Sequence, residues 1–194
     1  HTSSRRQRQM CIRDSSDGDF PFFGMFMGAV VENKEVNFID ALAQHQVESK
    51  IWLIERLEKL NENFNKGIFI GGWLGISSYW AMERKLMKNV TNLDLDDNAI
   101  KFSDKLNSIS KEHKMYKGIV GDASTHDYSE YDLVINTSSE HMTEEWFDNI
   151  KEGTTVAIQT NDFHDIEEHI NTVRNLKELE EKYPLSKVLF SGVK

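Results

Sequence analysis

Gly71, Gly72 and Gly75 follow the short apolar run Ile68-Phe69-Ile70, and Asp94 stands 19 residues beyond Gly75, at the end of a second apolar run. Glycines between a strand and a helix let the backbone approach a ligand closely, and the helix start presents N–H groups that lack intrahelical partners. A carboxylate at the end of the next strand can accept hydrogen bonds from both hydroxyls of a ribose. The spacing therefore describes a pocket for a nucleoside-containing cofactor. Asp96 and Asp97 lie close by, and either suits the cap of a helix beginning near Asn98. Asp94 is favoured for the ribose because it ends the apolar strand.

A second reactive cluster is Asn136-Thr137-Ser138-Ser139-Glu140-His141-Met142. It follows the apolar run Leu133-Val134-Ile135, where an open parallel sheet turns its strand ends toward the ligand crevice. Asn136 has the donor and acceptor to hold a substrate amine or hydroxyl. Glu140 and His141 are the candidates for a general base. Ser138, Ser139 and Thr143 are also good helix-capping residues. Asp162, His164, Asp165 and His169 match no familiar metal-ligand spacing and read as capping and helix-dipole groups, so no metal is expected.

The elements that must hold these residues alternate. The strands expected are Gly67–Gly71, Val90–Leu95, Lys117–Gly121, Asp132–Asn136, Thr154–Gln159 and Lys187–Ser191, with apolar cores suited to burial on both faces. Helices are expected over Ile76–Lys88, Asn98–His113, Thr143–Lys151 and Ile166–Lys182. Alternation at this spacing predicts a Rossmann-like α/β fold, with a mostly parallel sheet, right-handed crossovers and helices on both faces. Upstream, Asn37 to Asn63 is helical in pattern, with a weak stretch at His45 to Ser49 that allows two helices. Gln46, Ser49 and Lys50 on that segment read as an ordinary solvated face. The chain thus divides into a tail over 1–15, a largely helical extension over 16–66 and a cofactor-binding α/β domain over 67–194.

Residues 67–192 resemble the class I S-adenosylmethionine-dependent methyltransferases. Gly71-Gly72-Trp73-Leu74-Gly75 is similar to the family's glycine motif, and Asp94-Leu95-Asp96-Asp97-Asn98-Ala99 to its ribose-binding segment. Gly121-Asp122-Ala123 resembles the turn after the third strand, where an acidic side chain meets the adenine amino group. Tyr131-Asp132-Leu133-Val134-Ile135-Asn136 resembles the fourth strand, whose end faces the transferred methyl. The resemblance implies S-adenosylmethionine as cofactor and a small molecule or protein as methyl acceptor. It also implies that a helix preceding the sheet can cover the cofactor pocket.

Two positions depart from the family. Phe69 stands where an acid is frequent, two residues before the first glycine, and Trp73 stands where glycine is frequent. Trp73 either narrows the pocket or stacks on a ligand, or it forms a core aromatic beneath the turn. These departures keep open a noncatalytic module with the same fold. A nicotinamide-dependent oxidoreductase fits less well, because its Gly-x-Gly-x-x-Gly pattern needs glycine where Ile70 stands. The family's sheet also ends with an antiparallel strand after the one resembling Lys187–Ser191, and the chain stops at Lys194. An incomplete sheet edge, promoting self-association or low stability, is therefore expected.

Composition narrows the function classes. The 194 residues carry 39% apolar and 28% charged residues, ordinary for a globular domain, with a net charge of −9. Phosphate contacts dominate nucleic-acid affinity, so an acidic chain with scattered Lys and Arg argues against such a partner. Arg5 to Ser15 resembles the translation of a sequencing adapter, so residues 1–15 read as a non-native tail. They hold four Arg and one Asp, which leaves the remainder at −12. No apolar run reaches the ~20 residues of a membrane span. A single cysteine, Cys11, and no secretory leader fit a cytoplasmic setting.

Overall fold

The computed structural model describes residues 19–34 and 36–194. The adapter-like segment and Cys11 lie outside the described residues. Five strands form the sheet: β1 (Phe64–Ile70), β2 (Met87–Asp94), β3 (Tyr116–Val120), β4 (Leu133–Asn136) and β5 (Thr155–Ile158). Their order is β3-β2-β1-β4-β5, and all four pairings are parallel. The Rossmann-like α/β expectation is met. The order reverses at β1, so the C-terminal ends of β1, β2 and β4 open a crevice there.

The strands' alternation assigns each face its core. Phe69, Val90, Leu133 and Ile135 point to one side, where they pack with Leu53, Ile54 and Leu57 of α2 (Gln44–Glu58) and Ala81 of α3 (Ile76–Glu83). Ile68, Ile70, Leu93 and Val134 point to the other. That side is closed by Trp146 of α6 (Glu145–Asp148), by Tyr128 and Tyr131, and by Tyr183 beyond α7 (Leu176–Lys182). The upstream extension therefore shares the sheet's own core.

α1 (Asp19–Glu32) forms within the extension expected to be largely helical, despite one proline and two glycines. Pro21 falls in its first turn, where no intrahelical N–H is required. Gly24 and Gly28 have nothing within 4 Å of a built Cβ, so neither mediates close packing. The helix is held instead by Phe26, which is 2% exposed. Its ring lies 5.3 Å from that of Phe102 on α4 (Asp97–Leu106).

Several elements differ from the sequence-based expectation. The segment 37–63 is a 3-10 turn, Asp40–Leu42, followed by α2, because Ala43 is extended (ψ 137°). The helix expected over Asn98–His113 breaks at Asn107, whose Nδ2 donates to the carbonyls of Gly75 and Ser103. α5 (Ser108–Glu112) continues beyond it. Only Leu176–Lys182 of the long helix expected from Ile166 is formed. Upstream of it, Asn171 N–H donates to Glu140 O and Val173 N–H to Asn161 O, so these amides serve the β4 and β5 loops rather than a helix. Lys187–Ser191 is not a strand. With no strand between β5 and this segment, its contacts are made by side chains: Phe190 meets Trp52 edge-on at 5.5 Å, and the Arg56 guanidinium lies 5.2 Å from the Phe190 ring.

Phe102 is fully buried between α1 and the sheet-facing helices. Phe102→Ala is expected to cost about 3–5 kcal/mol, as for other buried Phe truncations. Chemical denaturation measures the loss, and limited proteolysis should show cleavage within α1 before the sheet is cut.

Candidate functional site

The glycine turn is built by steric exclusion from beneath. A Cβ on Gly72 would fall 1.9 Å from Asn92 Oδ1, and one on Gly75 would fall 1.8 Å from Ser103 Oγ. Gly71 and Gly75 adopt φ of +57° and +68°, the left-handed region open to glycine. Asn92, fully buried in β2, donates from Nδ2 to Trp73 O and to Ser103 Oγ at 3.1 Å each, and its Oδ1 accepts from Ser78 Oγ at 3.2 Å. One amide side chain thus ties the turn to β2, α3 and α4.

Asp94 ends β2 and holds the turn from the side. Its Oδ2 accepts from Trp73 N–H at 2.8 Å and its Oδ1 from Asp96 N–H at 3.0 Å. Burial pushes its carboxyl above the usual aspartate range, and these two amides pull it only part of the way back. Asp96 instead caps α4 by accepting from Asn98 N–H at 2.8 Å. Asp122 lies in the turn after β3, where its Oδ1 accepts both the N–H and the Oγ–H of Ser124 at 2.8 Å. Those bonds hold its carboxyl below the usual range. Ala123 O accepts from the hydroxyl of buried Tyr128 at 2.7 Å, which fixes the same turn.

These groups share one cavity of about 550 Å³, within the range of small-molecule sites. Gly71, Gly72, Trp73, Asp94, Asp122 and Ala123 line it, and Glu140 and His141 line it as well. Gly75 lies just behind, at the start of α3. Trp73 is half-buried, with φ +46°, and also packs against the cluster formed by α1, α3 and α4. Both readings of its ring, cavity wall and core aromatic, describe part of its surroundings. Phe69 is 1% exposed and belongs to the core on the α2 face.

Asn136 does not reach this cavity. It is fully buried, its Oδ1 accepts from Ser138 N–H at 2.9 Å, and its Nδ2 is 3.2 Å from Met142 Sδ. The expectation that it holds a substrate amine or hydroxyl is replaced by a part in shaping the β4 loop. Glu140 is buried, and burial pushes its carboxyl upward against the opposing influence of His141, His169 and Lys50.

Two lining residues differ from the solvated face that the sequence predicts for them. Gln46 and Lys50 of α2 face the cavity, and Lys50 Nζ donates to Gln46 Oε1 at 2.6 Å. Burial lowers the Lys50 ammonium, while Glu140 and Asp40 support it. Ser49 O accepts from Gln159 Nε2 at 3.1 Å, so α2 is bound to the loop after β5. The helical spacing 46–50 was a visible signal, but which face met the sheet depended on the break at Ala43. Asp40 and Glu145 complete an acidic lining. Among the described residues around the cavity, five carboxylates face one lysine and His141.

No protein-family model and no curated protein matches the sequence. Solved structures do match by fold. N-methyltransferase NodS from Bradyrhizobium japonicum superposes with a TM-score of 0.56 at 16% identity, over 69% of this chain and 79% of that one. Phosphoethanolamine N-methyltransferase 2 from Haemonchus contortus, in complex with S-adenosylmethionine, gives 0.51 at 17% identity, over 76% and 43%. A variant of MtNAS in complex with S-adenosylmethionine gives 0.51 at 16%, over 71% and 56%. The chain spans about half the length of the last two. These likenesses share the fold.

Gly72→Ala tests the geometry beneath the turn. The added methyl must displace Asn92 and strand its partners, so a loss of about 2 kcal/mol or more is expected. An unchanged urea midpoint would show that the turn is not built on Asn92.

Proposed function

We propose that the chain binds S-adenosylmethionine across the ends of β1, β2 and β3 and transfers its methyl group to a small molecule or protein. The observation that carries the reading is the convergence of the glycine turn, Asp94 and Asp122 on one cavity. The fold likeness to two N-methyltransferases, one of them holding S-adenosylmethionine, and to an MtNAS variant that also holds it, supports the same ligand.

Charge supports it independently. S-adenosylmethionine carries a sulfonium and an ammonium against one carboxylate, so it is a net cation near neutral pH. A nicotinamide dinucleotide carries a pyrophosphate. A cavity lined by Asp40, Asp94, Asp122, Glu140 and Glu145 against Lys50 favours the cation and opposes the pyrophosphate. In this reading Asp94 accepts from the ribose hydroxyls and Asp122 from the adenine amino group. Lys50 is the cation available for the methionine carboxylate.

Asp94 ends β2 and Glu140 follows β4, and these two strands flank β1 on opposite sides. A cofactor held at Asp94 that extends past the glycine turn directs its methyl toward the Glu140 loop. The acceptor's nucleophilic atom would attack the methyl carbon in line with the carbon–sulfur bond, whose electron pair leaves with sulfur. Holding those three atoms aligned is the main contribution asked of the protein. Glu140 and His141 border the acceptor side and can take the proton that the nucleophile releases.

A noncatalytic cofactor-binding module is the second reading. Phe69, buried away from the cavity, and Asn136, committed to its own loop, favour it. Methyl transfer from labelled cofactor to any component of a broad extract would exclude it.

Calorimetry with S-adenosylmethionine is expected to show one site per chain. Asp94→Ala should weaken it by about 1.5–3 kcal/mol, the value of hydrogen bonds to a charged group, and no binding by the parent protein would overturn the cofactor assignment. A second expectation concerns pH. Because burial raises the Asp94 carboxyl, its protonated form, which accepts ribose hydroxyls poorly, gains population earlier on acidification than that of an exposed aspartate. Affinity should therefore fall with falling pH through a midpoint above about 3.9. Asp94→Asn should lack that transition.

A further inference from the structure

The β4 loop and the segment after β5 bring Glu140, His141 and His169 together. One carboxylate oxygen and one ring nitrogen from each histidine lie within 4.8 Å of one another. His141 Nε2 is 4.0 Å from Glu140 Oε1. We propose that these three residues form a binding site for a divalent transition cation of the zinc class, bordering the acceptor side of the cavity.

The surroundings resemble those of a ligand set more than those of a fortuitous cluster. His141 Nδ1 is 3.2 Å from Glu168 O, and His169 Nδ1 is 2.9 Å from Phe163 O. A carbonyl accepts only, so each ring carries its proton on Nδ1 and leaves Nε2 with a free lone pair. Metal-binding histidines are oriented in this way by an outer hydrogen bond. Asn161 Nδ2 donates to Glu140 Oε1 at 2.8 Å, so the carboxylate is oriented as well. Glu140 Oε2 is buried with no partner among the described residues. A carboxylate oxygen in that state is costly unless a cation or donor meets it.

Two imidazoles and one carboxylate are the protein donors of an open zinc site, with the fourth position left to water or substrate. An ion about 2 Å from each donor requires the three groups to close by roughly 1 Å. His141 is exposed and His169 half-buried, so both rings have room to move. Glu140 and His141 line the cavity, so the open position faces it. The ion's use there rests on the methyl-transfer reading: it would hold a hydroxyl or carboxylate oxygen of the acceptor, and with Glu140 and His141 ligating it the released proton would pass to water instead of to them. The site itself does not depend on that reading.

The test uses the full chain, stripped with chelator and shown by circular dichroism to remain folded. Zinc is titrated by calorimetry and Co²⁺ by its visible d–d bands. One equivalent per chain is expected, with a cobalt spectrum of nitrogen and oxygen ligation. His169→Gln and Glu140→Gln should abolish saturable binding, and Asn161→Ala should weaken it by about 10–100-fold through loss of the outer hydrogen bond. His113→Ala, remote from the cluster, should leave it unchanged. No saturable binding, or binding that survives His169→Gln and Glu140→Gln, overturns the site. S-adenosylmethionine binding, measured on the metal-free protein, reports separately on the cofactor reading.

Discussion

Asn92 is the point on which the site depends. It lies at zero exposure in β2 between Thr91 and Leu93, and its amide meets groups from the glycine turn, α3 and α4 at once. A buried amide is stabilising only when its donors and acceptor find partners. Asn92 finds three, and each is a residue that positions the turn. The absence of a side chain at Gly72 is what lets that amide approach. Asp94, two residues further along the same strand, then fastens the turn from its ligand-facing side through Trp73 N–H. Strand β2 therefore both builds the floor of the cavity and supplies the acid that faces into it.

Much of the fold was legible because its signals were local. The runs Ile68-Phe69-Ile70 and Leu133-Val134-Ile135 are short, apolar and β-branched-rich, which suits strands buried on both faces, and both lie inside the sheet. Glycine followed by a helical pattern located the turn to the residue. The errors arose where backbone or side-chain groups were claimed by partners distant in sequence. Asn107 breaks a continuous helical pattern because its amide serves Gly75, 32 positions earlier. Residues 166–175 look helical, yet Asn171 gives its N–H to Glu140. α1 lies in the extension expected to be largely helical and forms despite its proline and glycines, held by the contact of Phe26 with Phe102.

The site divides along the same line. Gly71, Gly72, Asp94 and Asp122 are placed by strand ends, so a correct strand assignment brings them to one rim. Gln46, Lys50 and His169 come from segments outside the alternating core, and their arrival follows from packing of whole elements. Gln159 binding Ser49 O fixes α2 over the cavity, a contact between residues 110 positions apart that no spacing announces. Asn136 shows the opposite failure: strand-end position was right, but its own loop consumed both ends of its amide.

Trp73 carries a consequence beyond binding. An L-residue in the left-handed region is disfavoured by roughly 1–2 kcal/mol, so the turn retains its indole against a standing backbone penalty. The ring is wedged between the helical cluster and the cavity, so any ligand filling that cavity changes the polarity around it. The chain thus contains a built-in fluorophore at this bend, and Trp146 lines the same cavity, so occupancy can be followed by tryptophan emission without attaching a label.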